Sequence, residues 1–236
     1  IVAIAGAYIP IMVAHGKELF PAHLAGRGIT LLNLANMGGV FVMQLATALV
    51  IGWLDEHQVG PATIVGHSMG GKVAMLLACR HPARVTRLVV VDIAPKDYFW
   101  PGHRASFAAM NELNLEDLRS RAEAELRFEA RVPNWATRKF LTTNLERGEG
   151  GWRWSINLPV LTEALPTLEG NPLQPADVFP GTVRFIAGEA SNYIEADDVA
   201  SLRRHFPAAE IVTIAGSGHN PHMEAREAFV AAVVAP

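Results

Sequence analysis

From Ile11 to Val91 the chain alternates short apolar runs with helix-length segments: Ile11 to Ala14, Ile29 to Leu34, the Gln44 to His57 stretch, Ala62 to Val65, Lys72 to Cys79 and Leu88 to Val91. This alternation predicts βαβ units and therefore a mostly parallel central sheet flanked by helices, an α/β fold. Between Pro95 and Pro175 the pattern turns polar and rich in Arg and Glu, as in Leu115 to Arg131, with helical spacing and no evident strand. A helical insertion is expected there. After Pro180 the earlier pattern returns, with a strand over Val183 to Ala187, a helix near Asp197 to His205, a strand over Ile211 to Ile214 and a last helix from Glu224 to Val234. The expected organisation is a discontinuous core of residues 1–95 and 176–236 around an insertion at 96–175.

Half of the 236 residues are hydrophobic, enough for one substantial core. A formal net charge of −3 gives no reason to expect nucleic acid as a partner. The single cysteine, Cys79, forbids an internal disulfide and fits a reducing compartment, so a cytoplasmic protein is expected. The apolar stretch from Ile1 to Ala14 lacks a basic leader and is too short to span a bilayer. It reads as a buried strand, with a cleaved signal core as the alternative, and no membrane partner is expected. No internal repeat points to a solenoid or propeller.

The strongest chemical signal is Gly66-His67-Ser68-Met69-Gly70-Gly71, set directly between the apolar run Ala62 to Val65 and the helical run Lys72 to Cys79. A serine in that strand-turn-helix context is a nucleophile elbow. The turn is so tight that Gly66 and Gly70 must be small, and the helix N-terminus beyond it favours negative charge developing during attack. The competing reading is a glycine-rich turn that packs tightly or binds phosphate.

A serine hydroxyl needs a base, and the base needs a group to orient it. His219, in Ala215-Gly216-Ser217-Gly218-His219, follows the last predicted strand and precedes the last helix. That is where this order of elements requires the base. A metal pair His219-x-x-His222 has no third ligand nearby, so no metal and no cofactor are expected. For the acid, Asp92 at the end of Leu88 to Val91 is favoured over Glu189 or Glu195, because functional groups gather at the carboxyl ends of strands. In many proteins of this order a Gly-x-x-Asp follows the penultimate strand; here the stretch reads Gly188-Glu189-Ala190-Ser191. The oxyanion donors expected are the amides of Met69 and, in the loop marked by His15 and Gly16, Lys17.

Gly66 to Lys72, Val89-Val90-Val91-Asp92-Ile93-Ala94-Pro95, Trp154-Ser155-Ile156-Asn157-Leu158 and Gly216 to His219 together resemble the YbfF-like esterases of the α/β-hydrolase superfamily, from Pro61 to the C-terminus. The resemblance implies an α/β-hydrolase fold, a helical cap made by the insertion, an acid at Asp92, and hydrolysis of short-chain esters, extending in some members to acyl-CoA thioesters. The chain departs from the family where it reads Asn33-Leu34-Ala35-Asn36-Met37-Gly38.

The implied partner is a small-molecule ester or thioester; the sequence does not fix the oligomeric state. His15, Gly16, His67 and Trp154 are candidate pocket residues. Arg119, Arg121, Arg127 and Arg131 interleave with Glu123, Glu125 and Glu129, so they read as a solvated salt-bridged face and not as a coenzyme A site. The rivals are a non-catalytic ligand-binding protein on the same fold and another serine hydrolase of the fold, such as a C–C bond hydrolase or lactonase.

Overall fold

A computed structural model describes residues 2–5 and 39–235 of the chain. The expected strands Ile11 to Ala14 and Ile29 to Leu34 lie outside the described residues. The described residues divide into two compact units, one built from residues 2–5, 39–97 and 170–235 and the other from 98–169.

The first unit holds a five-stranded sheet, all of whose neighbouring strands run parallel: β1 (Val2–Ala5), β2 (Ala62–His67), β3 (Val85–Val91), β6 (Thr182–Gly188) and β7 (Ala209–Ile214), in that spatial order. Parallel strands covered on both faces need continuous apolar runs, and the residues from Leu88 to Val91 at the centre are wholly buried. Helix α1 (Gly39–Glu56) precedes β2, and α2 (Met69–Arg80) links β2 to β3. Every residue of α2 from Gly70 to Ala78 is buried, as a helix apolar on all sides demands. Lys72 is wholly buried with them, its Nζ donating to the carbonyl of Gly170 at 2.6 Å. Helices α7 (Asp198–His205), α8 (Pro221–Glu224) and α9 (Arg226–Val234) complete the unit, so the single last helix expected from the sequence is two, broken at Ala225. Among the described residues no helix is long and apolar enough to cross a membrane.

The second unit contains α3 (Pro101–Glu112), α4 (Arg121–Phe128), α5 (Trp135–Thr142), the antiparallel hairpin β4 (Leu145–Gly148) and β5 (Gly151–Trp154), and α6 (Leu158–Glu169). Its own core includes Met110, Leu113, Phe128, Leu141 and Leu158. Two expectations need correction here. Helix replaces only part of Leu115 to Arg131, because the Ser120 hydroxyl caps the amide of Glu123 and starts α4 at Arg121. The hairpin was not expected at all. It turns through Glu149-Gly150, with Gly151 at φ 99°, and pairs Leu145 with Trp154 and Glu146 with Arg153, whose side chains bridge at 2.9 Å. The arginine-rich face does form ion pairs, Arg127 with Glu123 and Asp117, and Arg131 with Glu112. Glu125 and Glu129 instead reach Lys139 and Arg138 of α5.

Candidate active site

Four adjacent strands place their carboxyl-terminal ends together, and the chemistry-bearing residues sit just beyond them. Ser68 separates β2 from α2 with φ 53° and ψ −120°, a conformation uncommon for any residue but glycine. Its N–H donates to the carbonyl of Val91 at 2.9 Å, so the turn is tied to the neighbouring strand. A Cβ on Gly66 would lie 2.3 Å from the carbonyl oxygen of Gly70, closer than atoms can approach, so the turn admits only glycine there. Met69 opens α2, and its N–H is among the first helical amides, which have no acceptor within the helix.

Asp92 directly follows β3, also at positive φ, and its side chain is wholly buried. Its carboxylate accepts from the Gly188 amide at 3.0 Å, from the Ser191 hydroxyl, and from His219 Nδ1 at 2.8 Å. A buried carboxylate is tolerated when its lone pairs are filled in this way. Because a carboxylate only accepts, the His219 proton sits on Nδ1 and the Nε2 lone pair faces Ser68 Oγ at 2.9 Å. The three residues thus form one continuous hydrogen-bonded chain. The other acid candidates are engaged elsewhere: Glu189 accepts from the Gly216 amide at 2.8 Å, and Glu195 meets Lys96 at 3.4 Å.

His219 is held by more than these two bonds. His67 Nε2 lies 2.7 Å from the backbone carbonyl of His219, and since that carbonyl can only accept, His67 carries its proton on Nε2. Burial pushes the His67 imidazole below the ordinary histidine range, against a smaller opposing pull from that same hydrogen bond. His222 lies edge-on to His67, with ring centres 4.9 Å apart. Tyr193 stacks on His219 itself, centres 3.8 Å apart and planes 18° from parallel.

Ser68, Met69, His67, Asp92 and His219 are therefore brought together, while His15, Gly16 and Lys17 lie outside the described residues. Trp154 belongs to the second unit, where it packs half-buried against that unit's core. Sequence reasoning missed Ser191 and Tyr193. The signal available for Ser191 was its place in Gly188-Glu189-Ala190-Ser191, where a serine stands in the position of the absent aspartate; nothing local marks Tyr193.

A family model described as the alpha/beta hydrolase family matches residues 11–232. The chain is 35% identical over 187 residues to the sn-1-specific diacylglycerol lipase ABHD11 of Mus musculus, an alignment covering 77% of this chain and 61% of the mouse protein. It is 35% identical over 180 residues to Esterase YbfF of Escherichia coli K12, covering 76% of this chain and 68% of that one. Among solved structures, a marine microorganism esterase superposes with a TM-score of 0.76 at 29% identity, over 81% of this chain and 76% of its own. The chain thus spans about three fifths of the length of the mouse relative.

Proposed function

This chain belongs to the alpha/beta hydrolase family, and from that premise we propose that it is a serine hydrolase of carboxylic esters, working through Ser68, His219 and Asp92. The observation that carries the reading is the unbroken chain Ser68 Oγ, His219 Nε2, His219 Nδ1, Asp92 Oδ2, with links of 2.9 and 2.8 Å. Ser68 Oγ attacks the ester carbonyl carbon while its proton passes to His219 Nε2. The imidazolium then gives that proton to the departing alkoxide, leaving an acyl group on Ser68. Water repeats the sequence: His219 takes its proton, the hydroxide adds to the acyl carbon, and the Ser68–acyl bond breaks with return of the proton to Oγ. Asp92 holds the tautomer this requires, and its two further donors, Gly188 and Ser191, keep the buried carboxylate aimed at Nδ1. The oxyanion is assigned to the amide of Met69; one such donor is worth about 10²- to 10³-fold in rate.

The relatives' names supply the ester classes to try: simple esters and a diacylglycerol, with acyl-CoA thioesters as the extension. The test is hydrolysis of p-nitrophenyl esters from acetate to palmitate, a diacylglycerol and an acyl-CoA, by the wild type and by Ser68→Ala. Turnover abolished by Ser68→Ala supports the reading and the preferred class names the substrate. A folded wild type inert on every ester and thioester would overturn it and favour a ligand-binding protein.

A further inference from the structure

The hydrogen bonds of His219 fix its edge and its backbone, while its ring face is occupied by Tyr193, whose ring lies almost parallel at 3.8 Å. Two neutral aromatic rings gain least from such a face-to-face arrangement, since their quadrupoles favour offset or edge-on contacts. An imidazolium over the face of a phenol is attracted to it. The stack is therefore stronger when His219 is charged than when it is neutral. His219 becomes charged each time it takes a proton from serine or water, and an interaction that strengthens on the way to the transition state lowers the barrier instead of tightening substrate binding.

The loop after β6 places this ring. The Tyr193 amide donates to Ser191 Oγ at 3.3 Å, and the Ser191 hydroxyl donates to the same Asp92 oxygen that receives His219. Burial, reinforced by the negative charge of Asp92, pushes the Tyr193 phenol above its ordinary range, so the face offered to the imidazole is that of a neutral phenol.

We propose that Tyr193 is a positioning residue for the reaction, its ring face holding the His219 imidazole and stabilising the imidazolium that forms during acyl transfer. The proposal rests on the esterase reading above. It places the effect in kcat, and it assigns the effect to the ring and not to the hydroxyl.

The experiment compares kcat and KM for a p-nitrophenyl ester in the wild type, Tyr193→Phe and Tyr193→Leu, with thermal unfolding of each. Tyr193→Leu is expected to lose about tenfold in kcat with KM unchanged, the scale of a half-buried cation–π contact. Tyr193→Phe is expected to stay within about twofold of the wild type, because its ring retains the same face. If Tyr193→Leu does not fold, Tyr193→Met takes its place. Full kcat in the variant without a ring overturns the proposal. So does a Tyr193→Phe loss equal to that of leucine, which would assign the effect to the hydroxyl, and so does a change confined to KM, which would make Tyr193 a substrate contact. Absence of any Ser68-dependent turnover in the wild type strikes the esterase reading instead, before the Tyr193 variants are compared.

Discussion

Replacing Gly188 with alanine tests whether the loop after β6 and the loop that carries His219 are pressed together as closely as the structure requires. Gly188 ends β6, and its amide donates to Asp92 Oδ1 at 3.0 Å. A Cβ there would meet the carbonyl oxygen of Gly218 at 2.1 Å and that of Ser217 at 2.7 Å. Both contacts are backbone, so no flexible side chain can swing aside. Ordinary van der Waals contact begins at 3.4 Å, so the Gly218 carbonyl must retreat by about 1.3 Å. Gly218 is bonded to His219, and the retreat carries the imidazole away from Asp92 or Ser68. A displacement of about 1 Å costs on the order of 100-fold in rate. Overpacking of this kind costs about 1–3 kcal/mol of stability, or roughly 2–12 °C in Tm for a domain of this size. The assay is kcat on a p-nitrophenyl ester together with thermal unfolding. Gly148→Ala is the control, because a Cβ there meets nothing within 4 Å. Near-wild-type kcat and Tm in Gly188→Ala would refute the close approach of these two loops.

Asp92→Asn, which keeps the shape but can no longer fix the tautomer of His219, is expected to lower kcat by roughly 10⁴-fold with the fold intact by circular dichroism; a loss under about tenfold would return Glu189 or Glu195 to consideration. His67 titrates below the ordinary histidine value of 6.5, chiefly through burial. The unfolded chain therefore binds the proton more readily, so the stability this group contributes is present above about pH 6.5 and is lost as pH falls through the lower folded-state value. Tm measured from about pH 7 to about pH 5 should fall less in His67→Gln than in the wild type, and an equal fall in the two would contradict the half-buried neutral imidazole.

The parts of this protein that could be read from sequence are those whose determinants are local. Gly66 to Gly71 announces its turn because the small residues, the serine and the flanking strand and helix all lie within a few positions of one another. His219 and Asp92 were legible through the order of elements, since parallel strands present their carboxyl ends on one side and the residues just beyond β3 and β7 converge there. The contacts that surround this chain were not legible. Ser191 reaches Asp92 across 99 positions and His67 reaches the His219 carbonyl across 152, and no spacing rule encodes such pairings. The β4–β5 hairpin was missed because its strands are short and carry charge at Glu146, Arg147 and Arg153. The alternation of Trp152 and Trp154 after Gly148-Glu149-Gly150-Gly151 was its only trace.

The central claim is that Ser68 is the nucleophile, and covalent capture tests it most directly. The native protein is incubated with a fluorophosphonate, which phosphonylates an activated serine, and the modified peptide is identified by mass. The account predicts one equivalent on Ser68, none in Ser68→Ala, and a much slower reaction in His219→Ala. A folded protein that takes up no label, or takes it at another residue while Ser68 stays free, would contradict it.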